Sequence, residues 1–172
     1  MDNLDAQLSN ADVNQTVVLQ KINEALAALG SKDKWLKAPE QLPEYEALKG
    51  KRIVLVEDVK GVIENLLPEY ISATEGNAEA VFHTTQDLEG LVAEIISKDP
   101  DVVLMDYSLA KNITGVEVIE GLREQGFTGK IVGNSSESHR AEEFKRAGAI
   151  GSIDKSSYPT SDSIIELAKL LS

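Results

Sequence analysis

From residue 52 onward, short apolar runs rich in β-branched residues alternate with longer stretches whose apolar positions recur every three or four residues. The short runs, 52–56 (RIVLV), about 79–83 (EAVFH), 102–105 (VVLM), 130–134 (KIVGN) and 150–153 (IGSI), predict five strands. The amphipathic stretches predict helices near 60–67, 86–98, 115–125, 137–147 and 162–171. The strand runs show little two-residue alternation, so they suit interior positions of a parallel sheet covered on both faces. Strands interleaved with helices in this way give an α/β chain with right-handed crossovers.

Helix punctuation supports most of these boundaries. "TTQD" before "LEGLVAEIISKD" reads as a capping box at Thr84 and Asp87, and Pro100 after Asp99 stops that helix. Gly148 in "KRAGAIG" stands where a helix end calls for a left-handed residue. Pro68 in "ENLLPEYISATEGN" predicts a short first helix followed by an irregular or second helical piece.

Residues 1–50 follow another pattern. Leu4, Leu8, Ala11, Gln15, Val18, Ile22, Ala25 and Leu29 are separated alternately by four and three positions, a heptad seam that ends at Gly30. Such an amphipathic helix either lies on the domain's own surface or pairs with a second copy of the chain as a homodimer. The following "SKDKWLKAPEQLPEYEALKG" holds two prolines and mixed charges, and reads as a linker with Trp35 and Leu36 as anchors. The domains predicted are therefore residues 1–50, helix and linker, and residues 51–172, the α/β domain.

Composition narrows the function classes. At 172 residues and 42% hydrophobic content, the chain can bury a substantial core. It has no cysteine, which excludes disulfides and thiolate metal sites and fits a reducing compartment. "MDNLDAQLSN" lacks the basic-then-apolar layout of a secretory leader. No apolar run approaches the roughly 20 residues of a membrane span, so a cytoplasmic location is expected. Residues 51–172 hold 21 Asp and Glu against 12 Lys and Arg, a net −9, and residues 1–50 hold 8 against 5, a net −3. This acidity argues against direct nucleic-acid binding, which depends on clustered Lys and Arg, and favours basic proteins or cations as partners.

The candidate chemistry stands at the strand ends. In open parallel sheets the functional crevice lies beyond the carboxyl ends of the strands. There the sequence places Glu57 and Asp58 after the first strand, Asp106 after the third, Ser135 after the fourth and Lys155 after the fifth. Three clustered carboxylates raise one another's pKa unless a cation compensates, and a small oxygen-ligand set of this kind suits Mg²⁺. His83 on the second strand and His139 in the fourth helix are surface or packing residues rather than zinc ligands. A carboxylate beside Mg²⁺, an amine and a hydroxyl can act as a nucleophile toward phosphorus, forming an acyl phosphate on the aspartate.

These residues resemble those of a response-regulator receiver domain of two-component signalling. The resemblance runs from about Lys51 to the C-terminus on "RIVLVED", "DVVLMDYSL", "IVGNSSES" and "GAIGSIDK". It implies a (βα)5 flavodoxin-like doubly wound parallel sheet with strand order 2-1-3-4-5. It also implies Mg²⁺ held by Glu57, Asp58, Asp106 and the backbone carbonyl of Ser108. Asp106 would accept a phosphoryl group from a sensor histidine kinase or a histidine phosphotransfer protein, Ser135 would be the switch hydroxyl, and Lys155 the ion-pair partner of the phosphoryl group.

Four features depart from the family pattern. "YSLAKNITG" has Ala110 where proline is common and carries one extra residue before Gly115, Lys155 is followed by Ser156 instead of proline, and Ser152 occupies the aromatic switch position, with Tyr158 further along. Small Ser108 and Ser136 leave room for water and Glu137 can orient it, which predicts a short-lived phosphoryl state, unless these residues only fill the rim.

With a single final helix in "SDSIIELAKLLS", the expected output is protein contact with an unknown downstream target, and the chain is expected to be a phosphoacceptor rather than an enzyme. One alternative is a pseudo-receiver acting as a phosphorylation-independent binding module. The other, an Asp-nucleophile phosphatase of the haloacid dehalogenase type, wants a second Asp two residues after the nucleophile, where this chain has Ser108.

Overall fold

A computed structural model describes residues 43–155 and 160–172. The heptad segment with its predicted dimer, Trp35, Leu36, Ser156 and Tyr158 lie outside the described residues.

Five strands form one parallel sheet: β1 (Ile53–Glu57), β2 (Ala78–Phe82), β3 (Val102–Asp106), β4 (Lys130–Ser135) and β5 (Gly151–Asp154), in the order β2-β1-β3-β4-β5. Five helices connect and follow them: α1 (Lys60–Ala73), α2 (Leu88–Ser97), α3 (Gly115–Glu124), α4 (Ala141–Ala147) and α5 (Thr160–Leu171). This is the flavodoxin-like (βα)5 topology that the resemblance implies. The order reverses between β1 and β3, and a doubly wound sheet opens its crevice at that point.

Alternation along the buried strands feeds two cores rather than one core and solvent. Ile53, Leu55, Val102, Leu104, Val132 and Ile153 face one layer built on α1 and α5, where Ile164, Leu167, Ala168 and Leu171 form a helical stripe. Val54, Val56, Val103, Met105 and Ile131 face the other, built on α2, α3 and α4. Every residue of β1 and of β3 is buried, including the acids that end them. Gly133 on β4 lets the Phe144 ring lie against the sheet, since a Cβ there would collide with it.

Several local expectations change. Pro68 does not end the first helix: α1 runs through it to Ala73. Proline removes only the bond to the carbonyl of Glu64, and both residues are exposed, so water can take the freed acceptor. The predicted capping box at Thr84 and Asp87 gives way to a simpler cap. Asp87 is itself the N-cap, its Oδ1 accepting from Gly90 N at 2.8 Å. A reciprocal capping box does occur on α3, where Thr114 Oγ1 accepts from Glu117 N and Glu117 Oε2 accepts from Thr114 N. Gly148 ends α4 in the left-handed region, as its sequence context predicts.

The domain also reaches further back than Lys51. Pro43–Ala47 forms a 3₁₀ turn, and Tyr45 and Leu48, which the sequence places in a linker, are buried in the core shared by α1 and α5. Among the described residues no helix is long and apolar enough to cross a membrane.

Candidate functional site

The strand register brings the acids together. Val56 on β1 pairs with Met105 on β3, so the next residues, Glu57 and Asp106, end their strands side by side. Asp106 pairs with Asn134 on β4, and Ser135 pairs with Asp154 on β5, one residue before Lys155. Glu57, Asp58 and Asp106 each offer a carboxylate oxygen within 4.8 Å of the others.

Lys155 is the cation of this pocket. Its Nζ lies 2.6 Å from Glu57 Oε2 and 2.9 Å from Asp106 Oδ1. Glu57 is fully buried and Asp106 is 6% exposed. Glu57 Oε1 accepts from Val59 N at 3.2 Å, whereas Oε2 depends on the lysine charge alone, through an ion pair rather than an aligned hydrogen bond. Burial pushes the carboxyls of both Glu57 and Asp106 up, and the Lys155 ammonium works against that rise. Burial pulls Lys155 down, but its ion pairs with Glu57 and Asp106 outweigh this and leave it raised. Among the described residues, one ammonium therefore pairs with the two buried members of a three-carboxylate cluster.

That donor set fits a hard divalent cation: it supplies only oxygen, it is compact, and its negative charge exceeds what Lys155 balances. Glu57, Asp58 and Asp106 are the side chains that would hold Mg²⁺. Neither histidine joins them. His83 follows β2, is 6% exposed and donates its backbone N–H to Glu57 O, with Nε2 unpartnered. His139 sits in the 3₁₀ turn Ser138–Arg140 rather than within a helix, with Nε2 3.4 Å from Glu137 Oε2.

The extra residue after Asp106 is absorbed in a small closed loop. Ser108 and Thr114 form an antiparallel bridge whose bonds come from their neighbours: Gly115 N donates to Tyr107 O at 2.8 Å and Leu109 N to Ile113 O at 3.0 Å. The bridge bonds thus leave the Ser108 carbonyl unused, as a ligand role would require. Ala110–Asn112 makes one 3₁₀ turn between them, with Asn112 in the left-handed region. Gly115 is needed because a Cβ would strike the Asp106 carbonyl and Met105.

Ser135 ends β4, and its Oγ accepts from Glu137 N at 3.1 Å. Beyond it lies a cluster that sequence reasoning missed. Arg140 Nη1 donates to the Tyr107 hydroxyl and to Glu143 Oε1, both at 2.9 Å, and its Nε donates to Glu137 Oε2 at 2.9 Å. The Tyr107 hydroxyl donates to Glu143 Oε2 at 2.8 Å, and the guanidinium lies 4.0 Å from the centre of the Tyr107 ring. The bond to Glu143 holds the Tyr107 hydroxyl above its usual range and the Glu143 carboxyl below its own. The spacing of Glu137, Arg140 and Glu143 by threes was the available signal, but only the fold brings Tyr107 to them. Asn134 was also missed: it is buried beside Asp106, with its Nδ2 unpartnered.

Residues 53–167 match the family model described as the response regulator receiver domain. Among solved structures, the receiver domain of the histidine kinase CKI1 from Arabidopsis thaliana, complexed with Mg²⁺ and BeF₃⁻, is 20% identical, with a TM-score of 0.55 over 77% of this chain and 97% of that one. A LuxR-family two-component response regulator from Aurantimonas sp. SI85-9A1 is 24% identical, with a TM-score of 0.56 over 72% and 86%. The receiver domain of the Francisella response regulator 1452 is 15% identical, with a TM-score of 0.55 over 70% and 96%. No curated protein sequence matches the chain.

Proposed function

The chain belongs to the response regulator receiver family of two-component signalling, and from that premise we propose that Asp106 accepts a phosphoryl group from a histidine kinase or histidine phosphotransfer protein. The observation that carries this reading is Lys155, whose ammonium meets Glu57 and Asp106 together in a pocket with more carboxylates than cations.

The chemistry follows from the residues. An Asp106 oxygen attacks phosphorus, the phosphorus–nitrogen bond of the phosphohistidine breaks, and the imidazole nitrogen keeps the electron pair. For that attack Asp106 must be ionised. Burial opposes ionisation, and Lys155 offsets part of that opposition while remaining placed to balance charge on the incoming group. When bound to Glu57, Asp58, Asp106 and the Ser108 carbonyl, Mg²⁺ supplies further neutralisation of that charge. The Ser135 hydroxyl, at the next strand end, is the donor that meets a phosphoryl oxygen. Glu137, the candidate water-orienting carboxylate, is held at Oε2 by Arg140 Nε. The chain then works as a stoichiometric phosphoacceptor rather than a turnover enzyme, and signals through protein contacts.

Incubation with Mg²⁺ and acetyl phosphate tests this by intact mass. Wild type gains a phosphoryl group and Asp106→Asn does not. A wild type that takes up none overturns the reading and leaves a phosphorylation-independent binding module in its place.

A further inference from the structure

The Arg140 cluster meets the phosphoacceptor pocket on two sides. On one, Tyr107 follows Asp106 directly in the chain. On the other, Glu137 stands two residues after Ser135 and its N–H donates to Ser135 Oγ at 3.1 Å. The two sides are cross-linked. Arg140 clamps the Glu137 carboxylate through Nε, and Tyr107 and Glu143 through Nη1. Its backbone N–H also donates to Glu137 O at 3.0 Å.

The far side of the clamp is anchored in the core. The Tyr107 ring stands edge-on to buried Phe144, with centroids 5.7 Å apart and planes at 84°, and the Tyr107 carbonyl accepts from Gly115. A guanidinium is a rigid planar fork, so three partners held at once restrict the turn far more than a lysine point charge would. The segment that presents the Glu137 N–H to Ser135 is therefore fixed from outside the pocket.

We propose that Arg140 is a positioning residue for the Ser135 hydroxyl: by clamping Glu137 to Tyr107 and Glu143, it holds the N–H that Ser135 Oγ accepts, and so resists departure of that hydroxyl toward a phosphoryl oxygen on Asp106. This rests on the role given to Ser135 above. Loosening the clamp frees the turn to follow the hydroxyl and favours the phosphoryl-bound arrangement without touching the acids or Lys155. The coupling is worth about one neutral hydrogen bond, or roughly a fivefold change in affinity for a phosphoryl mimic.

Fluorine NMR titration of beryllofluoride in the presence of Mg²⁺ reads that affinity. Wild type, Arg140→Ala and Arg140→Lys are compared, each with and without Ser135→Ala. Arg140→Ala binds about fivefold tighter than wild type, and Arg140→Lys lies between the two. In the Ser135→Ala background the same substitutions change nothing, because no hydroxyl remains to be released. An unchanged affinity in Arg140→Ala, or an equal gain with and without Ser135, overturns the inference while leaving the phosphoacceptor reading intact. A wild type that binds no beryllofluoride overturns both. Should Arg140→Ala not fold, Tyr107→Phe removes one arm of the clamp and is judged by the same two comparisons.

Discussion

Strand β3 has an aspartate at each end, and the two have opposite environments. Asp101, just before it, is an exposed acid with fitted donors: Oδ2 accepts from Arg52 N at 2.8 Å, and Oδ1 lies 3.4 Å from Arg52 Nη2. Asp106, at the other end, is buried and shares its one ammonium with Glu57. The backbone N–H of Arg52 holds the Asp101 carboxyl below its usual range, whereas burial pushes Asp106 up. Arg52 also pairs with Asp99, so this amino-terminal cluster ties the start of β1 to the residues leading into β3. An exposed pair of this kind serves local structure. A buried cluster with surplus negative charge is a standing cost in stability, and such costs persist where a site uses them.

The largest test removes the cation from each end. Lys155→Ala leaves Glu57 and Asp106 buried without the ammonium they share and should lower unfolding stability by about 3 kcal/mol at pH 7, the usual cost of breaking a buried pair. Urea unfolding at pH 5 should show a smaller loss, since both raised carboxyls take up protons more readily there and then need no ammonium. Arg52→Ala at the exposed end should cost much less, because solvent already screens its pairs. Equal losses at the two ends would break the contrast.

Much of this contrast was legible in the sequence, and the reasons are physical. The runs "RIVLV" and "VVLM" are long enough to cross the sheet and no longer, so the acids after them had to emerge at its carboxyl edge. Whether Asp106 would be buried there was not legible, because burial depends on how Lys155 and the loop through Gly115 close around it. Tyr45 and Leu48 read as linker residues because two nearby prolines dominate the local signal, although a tertiary core covers both. Pro68 read as a helix end because local rules do not say which side of the helix faces water. The Arg140 clamp needed residues 33 apart to meet.

A cation should distinguish the two ends next. Mg²⁺ at ten times its dissociation constant should stabilise the wild type by about 1.4 kcal/mol, since binding to the folded form alone shifts the equilibrium by mass action. Asp58→Asn should remove most of that gain, and Arg52→Ala should leave it intact, as read by thermal unfolding with and without Mg²⁺. Equal stabilisation of wild type and Asp58→Asn would mean that the ion binds elsewhere.

The smallest effects carry the sharpest sign. Because the folded pKa of Asp106 is raised, its contribution to stability is fully present below the ordinary carboxylate value and is lost as pH rises through the raised value. Asp106→Asn should therefore gain on the order of 1 kcal/mol at pH 7, the size of a typical single-site change, and the gain should shrink toward zero as pH falls to about 4. For Asp101 the folded pKa is lowered, so its stability is present above the ordinary value and lost only as pH falls through the lowered one. Asp101→Asn should lose about 0.5 kcal/mol at pH 7, kept small by exposure, and the loss should persist down to about pH 4 before it fades. Urea unfolding of both variants across this range would give curves of opposite sign. Curves of the same sign would show that burial of Asp106 is offset within the folded pocket, leaving no surplus charge for a cation to balance.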